Sequence, residues 1–133
     1  MRARMGRKRR RGSAAVELAV VLPFLLTLLF GIIEYGWVLC VRQTMVNAAR
    51  EGARVASLMG STDQEVRERV QEYLAPMGLT AEVTLERASP PDNPVEKVTV
   101  TIPYRQVSLL GAYFGSTDYN LVSSCSMRKE GFE

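Results

Sequence analysis

The chain of 133 residues contains no histidine. That removes the commonest general base and a leading metal ligand. Its two cysteines, Cys40 and Cys125, stand far apart, at no metal-binding spacing, and nothing in their separation argues for a disulfide. No glycine-rich phosphate loop is present, and Ser123, Ser124 and Ser126 have no base in pattern with them. The acids Asp63, Glu65, Glu68 and Glu72 share one helical stretch, where they read as solvation. Nothing in this inventory asks for an enzyme, a metal or a cofactor. Charge is also missing from one stretch, residues 18–33, which Glu17 and Glu34 bracket. After Glu34 the chain stays uncharged to Val41. As one helix, residues 18–41 would measure about 36 Å, against roughly 30 Å of bilayer hydrocarbon. That is long enough to span a membrane with some tilt, and everything after it then lives on one side.

The net charge of +3 hides an asymmetry. Residues 1–12 carry Arg2, Arg4, Arg7, Lys8, Arg9, Arg10 and Arg11 and no acid, and the remainder is net acidic. Basic charge confined to a short tail beside an apolar helix reads as a topology signal rather than a nucleic-acid surface. Arg7, Lys8, Arg9, Arg10 and Arg11 therefore place the N-terminus in the cytoplasm and the C-terminal part outside. Residues 1–12 are expected to be disordered in solution, because like charges repel and nothing apolar is available to bury. A cleavable secretory signal fits poorly: no small-x-small site follows the apolar run, which is longer than a normal signal core. Leu39 is bulky where a lipid-attachment site before Cys40 wants a small residue, so Cys40 reads as a small buried residue at the membrane exit.

Gly12-Ser13-Ala14-Ala15-Val16-Glu17 is the most informative short stretch. An ionised Glu at the mouth of an apolar helix is costly unless paired or kept at the interface. Glu17 either snorkels to water or waits for a cation. Cutting between Gly12 and Ser13 would create one, a new α-amine, and Ser13 and Glu17 at i and i+4 share a helix face. A neighbouring subunit's amine could serve equally. Within the span, Pro23 removes a backbone hydrogen bond and is expected to kink or loosen the helix. Gly31 and Gly36 offer small surfaces for close helix contact, five residues apart rather than the usual four. Glu34 lies about 10 Å from the outer end of the span. It snorkels outward near Tyr35 and Trp37, or meets a counter-charge such as Arg42 across a helix contact.

Beyond Val41 the helix is expected to continue into water to about Met59. Val41, Met45, Ala48, Gly52, Val55 and Met59 alternate in steps of four and three and make one apolar seam. Gln43, Asn47, Arg50, Arg54 and Ser57 make the opposite one, and Glu51 can pair with Arg54. The seam is small at its centre, which suits close packing against the chain's own sheet or against another subunit. Gly60 ends the helix. Thr62-Asp63-Gln64-Glu65 reads as a capping box. It opens a second helix to about Ala75, with Val66, Val70, Tyr73, Leu74 and Met77 inward and a Glu65–Arg69 pair on the wet side.

Ala81, Val83 and Leu85 then alternate with polar residues, as do Val98, Val100, Ile102 and Tyr104 after the loop Ser89-Pro-Pro-Asp-Asn-Pro94. A third strand, about residues 119–128, puts Tyr119, Leu121, Ser123, Cys125 and Met127 on one face. Residues 107–114 are apolar without clean periodicity, and either cover the sheet edge or form a docking patch.

The stretch from Gly12 to Glu17 resembles a type IV prepilin processing site, cut after Gly with Glu fifth in the mature chain. The wider pattern AAVELAVVLPFLLTLLFGIIEYGWVLCVRQTMVNAAREGARVASL resembles the TadE-like family, small pilin-like proteins of the bacterial Tad (tight adherence) pilus machinery. The resemblance is strong over residues 12–58 and weak beyond. Major pilins of that system carry an aromatic after the Glu; Leu18 follows Glu17 here, which argues against the major pilin.

The resemblance implies an α+β architecture: a transmembrane helix continuing into a pilin-like domain with a second helix and an antiparallel sheet of about three strands. It implies a basic leader over 1–12, a span over 13–41 and an extracytoplasmic domain over 42–133, single-pass in the inner membrane. It implies Gly12, Ser13 and Glu17 as processing residues for a prepilin peptidase. It implies Glu17, Glu34, Gly31, Gly36, Ala48, Gly52 and Val55 as association residues toward other pilin-like subunits and Tad assembly proteins. The expected role is a minor pseudopilin; the alternative is an uncleaved membrane-anchored assembly factor or scaffold.

Overall fold

The computed structural model describes residues 6–89, 94–111 and 118–131, with side chains from Gly12 onward. The chain is α+β, with the elements α1 (Gly6–Ser57), α2 (Asp63–Leu74), β1 (Glu82–Glu86), β2 (Val95–Pro103), α3 (Tyr104–Val107) and β3 (Asn120–Arg128). It divides into two compact units, Met1–Gly36 and Trp37–Glu133.

The first unit is the N-terminal part of α1. The helix begins at Gly6, so residues 6–12, expected to be disordered, are helical. Arg and Lys are good helix formers, and extending an existing helix costs far less than nucleating one. The helix runs on through Pro23 without interruption. Thr27 Oγ1 donates to the Pro23 carbonyl at 2.8 Å, an i−4 bond within the turn that follows the proline. From Gly12, α1 is long and apolar enough to cross a membrane.

The second unit packs the rest of α1 with α2 against a three-stranded antiparallel sheet of order β1-β2-β3. The central strand β2 pairs Val83 with Val100 on one side and Val98 with Cys125 on the other. Its burial alternates strictly, with Glu96, Val98, Val100 and Ile102 inward. Tyr104, expected in phase with these, instead starts α3. Pro103, in extended conformation, ends the strand and precedes the turn. The Tyr104 ring stacks on Tyr119 at 4.5 Å. Cys125 is half-buried against the core, and Cys40, expected to be buried, is exposed in the isolated chain.

The capping box at α2 is complete: the Glu65 N–H donates to the Thr62 hydroxyl at 3.3 Å and the Thr62 N–H to the Glu65 carboxylate at 2.8 Å. Val66, Val70 and Leu74 are buried, whereas Tyr73, expected inside, is exposed. A 3₁₀ turn, Ala75–Met77, follows, and Gly78 closes it in the left-handed conformation at φ 67°. The expected Glu65–Arg69 pair does not form. Glu65 is occupied by the cap, and Arg69 reaches Glu72 at 2.8 Å and Glu51 of α1 at 3.1 Å. Those two carboxylates raise the Arg69 pKa, Glu72 most strongly. The Glu51–Arg54 pair forms at 3.6 Å.

Candidate functional site

The candidate site lies along α1 from Gly12 to Val55, and its two parts differ in what their side chains meet. In the first unit, Ser13 and Glu17 stand one turn apart on a shared face. The Ser13 hydroxyl donates to the Glu17 carboxylate at 3.1 Å, and both are exposed. A Cβ built on Gly12, Gly31 or Gly36 would meet nothing within 4 Å. The large apolar residues around them are open too, with Leu18, Phe24, Leu28 and Ile32 all exposed. Glu34 is half-buried and has an interaction of its own. The side chains of Arg7, Lys8, Arg9, Arg10 and Arg11 lie outside the described residues.

In the second unit, Val41, Met45, Ala48, Ala49, Ala53 and Ala56 are fully buried. The buried face drifts from Ala48 to Ala49 and Ala53, as a period of 3.6 requires over several turns. It does not reach Met59, which lies past the end of α1 at Ser57 and is 76 % exposed. A Cβ on Gly52 would stand 2.7 Å from Val70 Cγ2 and 3.2 Å from Val98 Cγ1. The missing side chain is therefore what lets α1 approach α2 and β2. Ala48 and Gly52 serve the chain's own packing, and Val55 is half-buried at its margin. On the opposite seam Ser57, expected outside, is buried and donates its hydroxyl to the Arg54 carbonyl at 2.8 Å.

A polar cluster at the C-terminal end of α1 has no counterpart in the motif reading. Glu96 is fully buried on the inward face of β2. One of its oxygens accepts from Lys129 Nζ at 2.8 Å. The other lies 3.7 Å from Arg87 Nη1 without a hydrogen bond. Arg87 also reaches Asp63 at 2.6 Å, the Ser61 hydroxyl at 3.2 Å and the Ala56 carbonyl at 3.4 Å. It thereby joins the end of α1, the start of α2 and the sheet. The one signal available in sequence was phase: Glu96 falls two residues before Val98 in a period-two strand. Its partners, 9 residues before and 33 after, leave no local trace.

Among the described residues no group of three or more His, Cys, Asp or Glu is placed to hold a metal ion. Of the expected association residues the geometry brings Ala48 and Gly52 into the core of the second unit. It leaves Glu17, Gly31 and Gly36 on the surface of the first.

Residues 12–54 match the family model described as TadE-like protein. The match begins at the glycine that opens the processing-like hexapeptide and ends within the packed half of α1. No curated protein and no solved structure matches the chain. The matched stretch makes this part of the chain similar to TadE-like proteins; the rest of the chain lies outside the match. Together with the apolar helix it indicates a membrane-anchored chain.

Proposed function

We propose that this TadE-like chain is a minor pseudopilin, a structural subunit of a Tad pilus assembly or secretion apparatus. It would sit in the bacterial inner membrane with its N-terminus in the cytoplasm and residues 42–133 outside. It works by association: the surface of the first unit meets other pilin-like subunits, and the second unit supplies a folded outer domain. The observation that carries this is the surface arrangement of Gly12, Ser13 and Glu17 at the start of the TadE-like match. Cleavage between Gly12 and Ser13 by a prepilin peptidase would leave the new α-amine one turn from a carboxylate that the Ser13 side chain already contacts. An ammonium–carboxylate pair at the mouth of an apolar helix offsets the cost of placing either charge there alone.

A second reading is an assembly factor that stays uncleaved and never enters a filament. It is favoured by Leu18 after Glu17, and by α1 running through residues 6–12 without a break at the cleavage position. The intact mass of the protein from membranes, with prepilin peptidase present and absent, separates the two. A chain starting at Ser13 only when the peptidase is present supports the pseudopilin. A chain starting at Met1 in both conditions refutes processing and leaves the anchored factor.

A further inference from the structure

We propose that the Trp37 end of the second unit is a bilayer-seating surface, where Leu109, Arg105 and Tyr119 enter the interfacial layer of the membrane that the apolar stretch spans. The inference rests on the membrane-anchored reading and adds a second contact to it, made by the folded domain itself. Trp37 follows the last residue of the uncharged run 18–33 by one helical turn, about 6 Å. Whatever depth the run takes, Trp37 stays within that distance of its end. The indole is half-buried, and its Nε1–H donates to the Val107 carbonyl at 2.8 Å, across 70 residues of sequence. That bond ties the segment after α3 to Trp37, the residue at which the second unit begins.

The segment so held has the composition of an interface. Leu109 is 53 % exposed, two residues past the bonded carbonyl. Arg105 is exposed on α3. Tyr119 is 47 % exposed and lies flat on Tyr104, whose N–H donates to the Tyr119 carbonyl at 3.0 Å. Aromatic rings with a polar tip favour the headgroup level. A leucine there leaves water for acyl chain, and a guanidinium there meets lipid phosphate. The other end of the unit is unlike this. From Trp37 to Ser57 α1 advances about 30 Å, and it ends beside the charged cluster of Asp63, Arg87, Glu96 and Lys129, where Leu58 and Met59 are exposed but no aromatic belongs to the cluster. A unit tethered at Trp37 presents that aromatic end to lipid.

The test uses the full chain reconstituted in phosphatidylcholine–phosphatidylglycerol vesicles, part of the lipid brominated near the top of the acyl chains. Trp37 is the chain's single tryptophan, so its quenching reports whether the span is seated. An environment-sensitive nitrobenzoxadiazole label is placed on Leu109→Cys, and separately on Gln64→Cys in the first turn of α2, both in a Cys40→Ser, Cys125→Ser background. The expected result is strong Trp37 quenching, with label quenching several-fold greater at 109 than at 64. Quenched Trp37 with equal, weak quenching of both labels overturns the proposal and leaves the membrane span standing. A label at 109 shielded from both bromolipid and aqueous iodide means that a second copy covers the patch, which also overturns it. An unquenched Trp37 overturns the span and the proposal together.

Discussion

The two stretches of α1 are one helix made by opposite rules. Residues 18–33 are mostly large and apolar, and all are exposed; the buried positions after Val41 are largely alanine and glycine. In water the first arrangement exposes an apolar surface far beyond what a soluble monomer tolerates. The second would bury too little area to hold a fold unless something came very close. Each stretch is completed from elsewhere: the second by α2 and the sheet of the same chain, the first by lipid and, as proposed, by other subunits. Size of side chain thus separates the two environments better than hydrophobicity does. Small residues mark where backbone meets backbone, and large ones mark where the helix meets a fluid.

The sharpest way to break this contrast is to truncate one large residue on each side. Ile102 is fully buried beneath the packed stretch, and Ile102→Ala is expected to destabilise the second unit by about 2–5 kcal/mol. Leu28, 63 % exposed, is the matched control, and Leu28→Ala should change folding by no more than about 0.5 kcal/mol. Urea unfolding of the full chain in micelles, followed by Trp37 emission, measures both. Equal losses would mean that the first stretch is packed by its own chain.

Gly52→Leu carries the next largest effect. The Cβ alone would stand 2.7 Å from Val70 Cγ2, so either α1 moves away from α2 or the valines leave their rotamers. Overpacking of this kind costs about 1–3 kcal/mol. The same unfolding experiment reads it. An unchanged midpoint would show that the close approach of α1, α2 and β2 is not what holds the domain together.

Gly52 also marks how far the sequence could be read. Its place in a four–three seam showed that a close approach happens there; it did not show to what, because another subunit and the chain's own helix ask for the same residue. Period-two alternation likewise located β1 and β3 to within about a residue, but it placed the start of β2 at Val98 where the strand begins at Val95; the box from Thr62 to Glu65 located α2, because both signals are local. Tyr104 broke its pattern because Pro103 ends the strand and the chain turns directly into α3. The Arg87–Glu96–Lys129 cluster escaped because its members are joined only by the folded sheet. At Gly12–Glu17 the residues and their shared face were legible, and the structure adds the Ser13–Glu17 hydrogen bond. Ala112, Tyr113 and Phe114 of the apolar segment, and 90–93 of the hairpin loop, lie outside the described residues.

The cap of α2 offers a smaller effect with a pH signature. Thr62→Ala is expected to cost about 1 kcal/mol, through loss of the hydroxyl that accepts from the Glu65 N–H. The partner arm titrates. The Thr62 N–H, and then the Thr62 hydroxyl, hold the Glu65 carboxyl below its ordinary pKa. A carboxyl lowered in the folded state stabilises that state above its unfolded pKa, and the contribution disappears as pH falls through the folded value. The stability gap between wild type and Glu65→Ala should therefore be full at pH 7 and close progressively in acid below the ordinary carboxylate range. A gap that does not narrow there would mean that the carboxylate arm of the box contributes nothing in solution.

The smallest expected effect on folding is the most telling about the first stretch. Cβ atoms on Gly31 and Gly36 would meet nothing, so Gly31→Leu and Gly36→Leu should leave the unfolding midpoint where it is. What they should change is association between chains, measured by energy transfer between labelled copies in vesicles or by pilus assembly in cells. Five residues turn a helix through about 140° beyond a full circle, so the two glycines look in different directions and no single flat contact uses both. If one neighbouring helix packs closely on this surface, one of the two substitutions should abolish transfer and the other leave it. If two neighbours pack, as in an array with subunits on either side, both should lower it. Transfer unchanged by either would remove the glycines from the association surface and leave Glu17, Glu34 and the large apolar residues to make it.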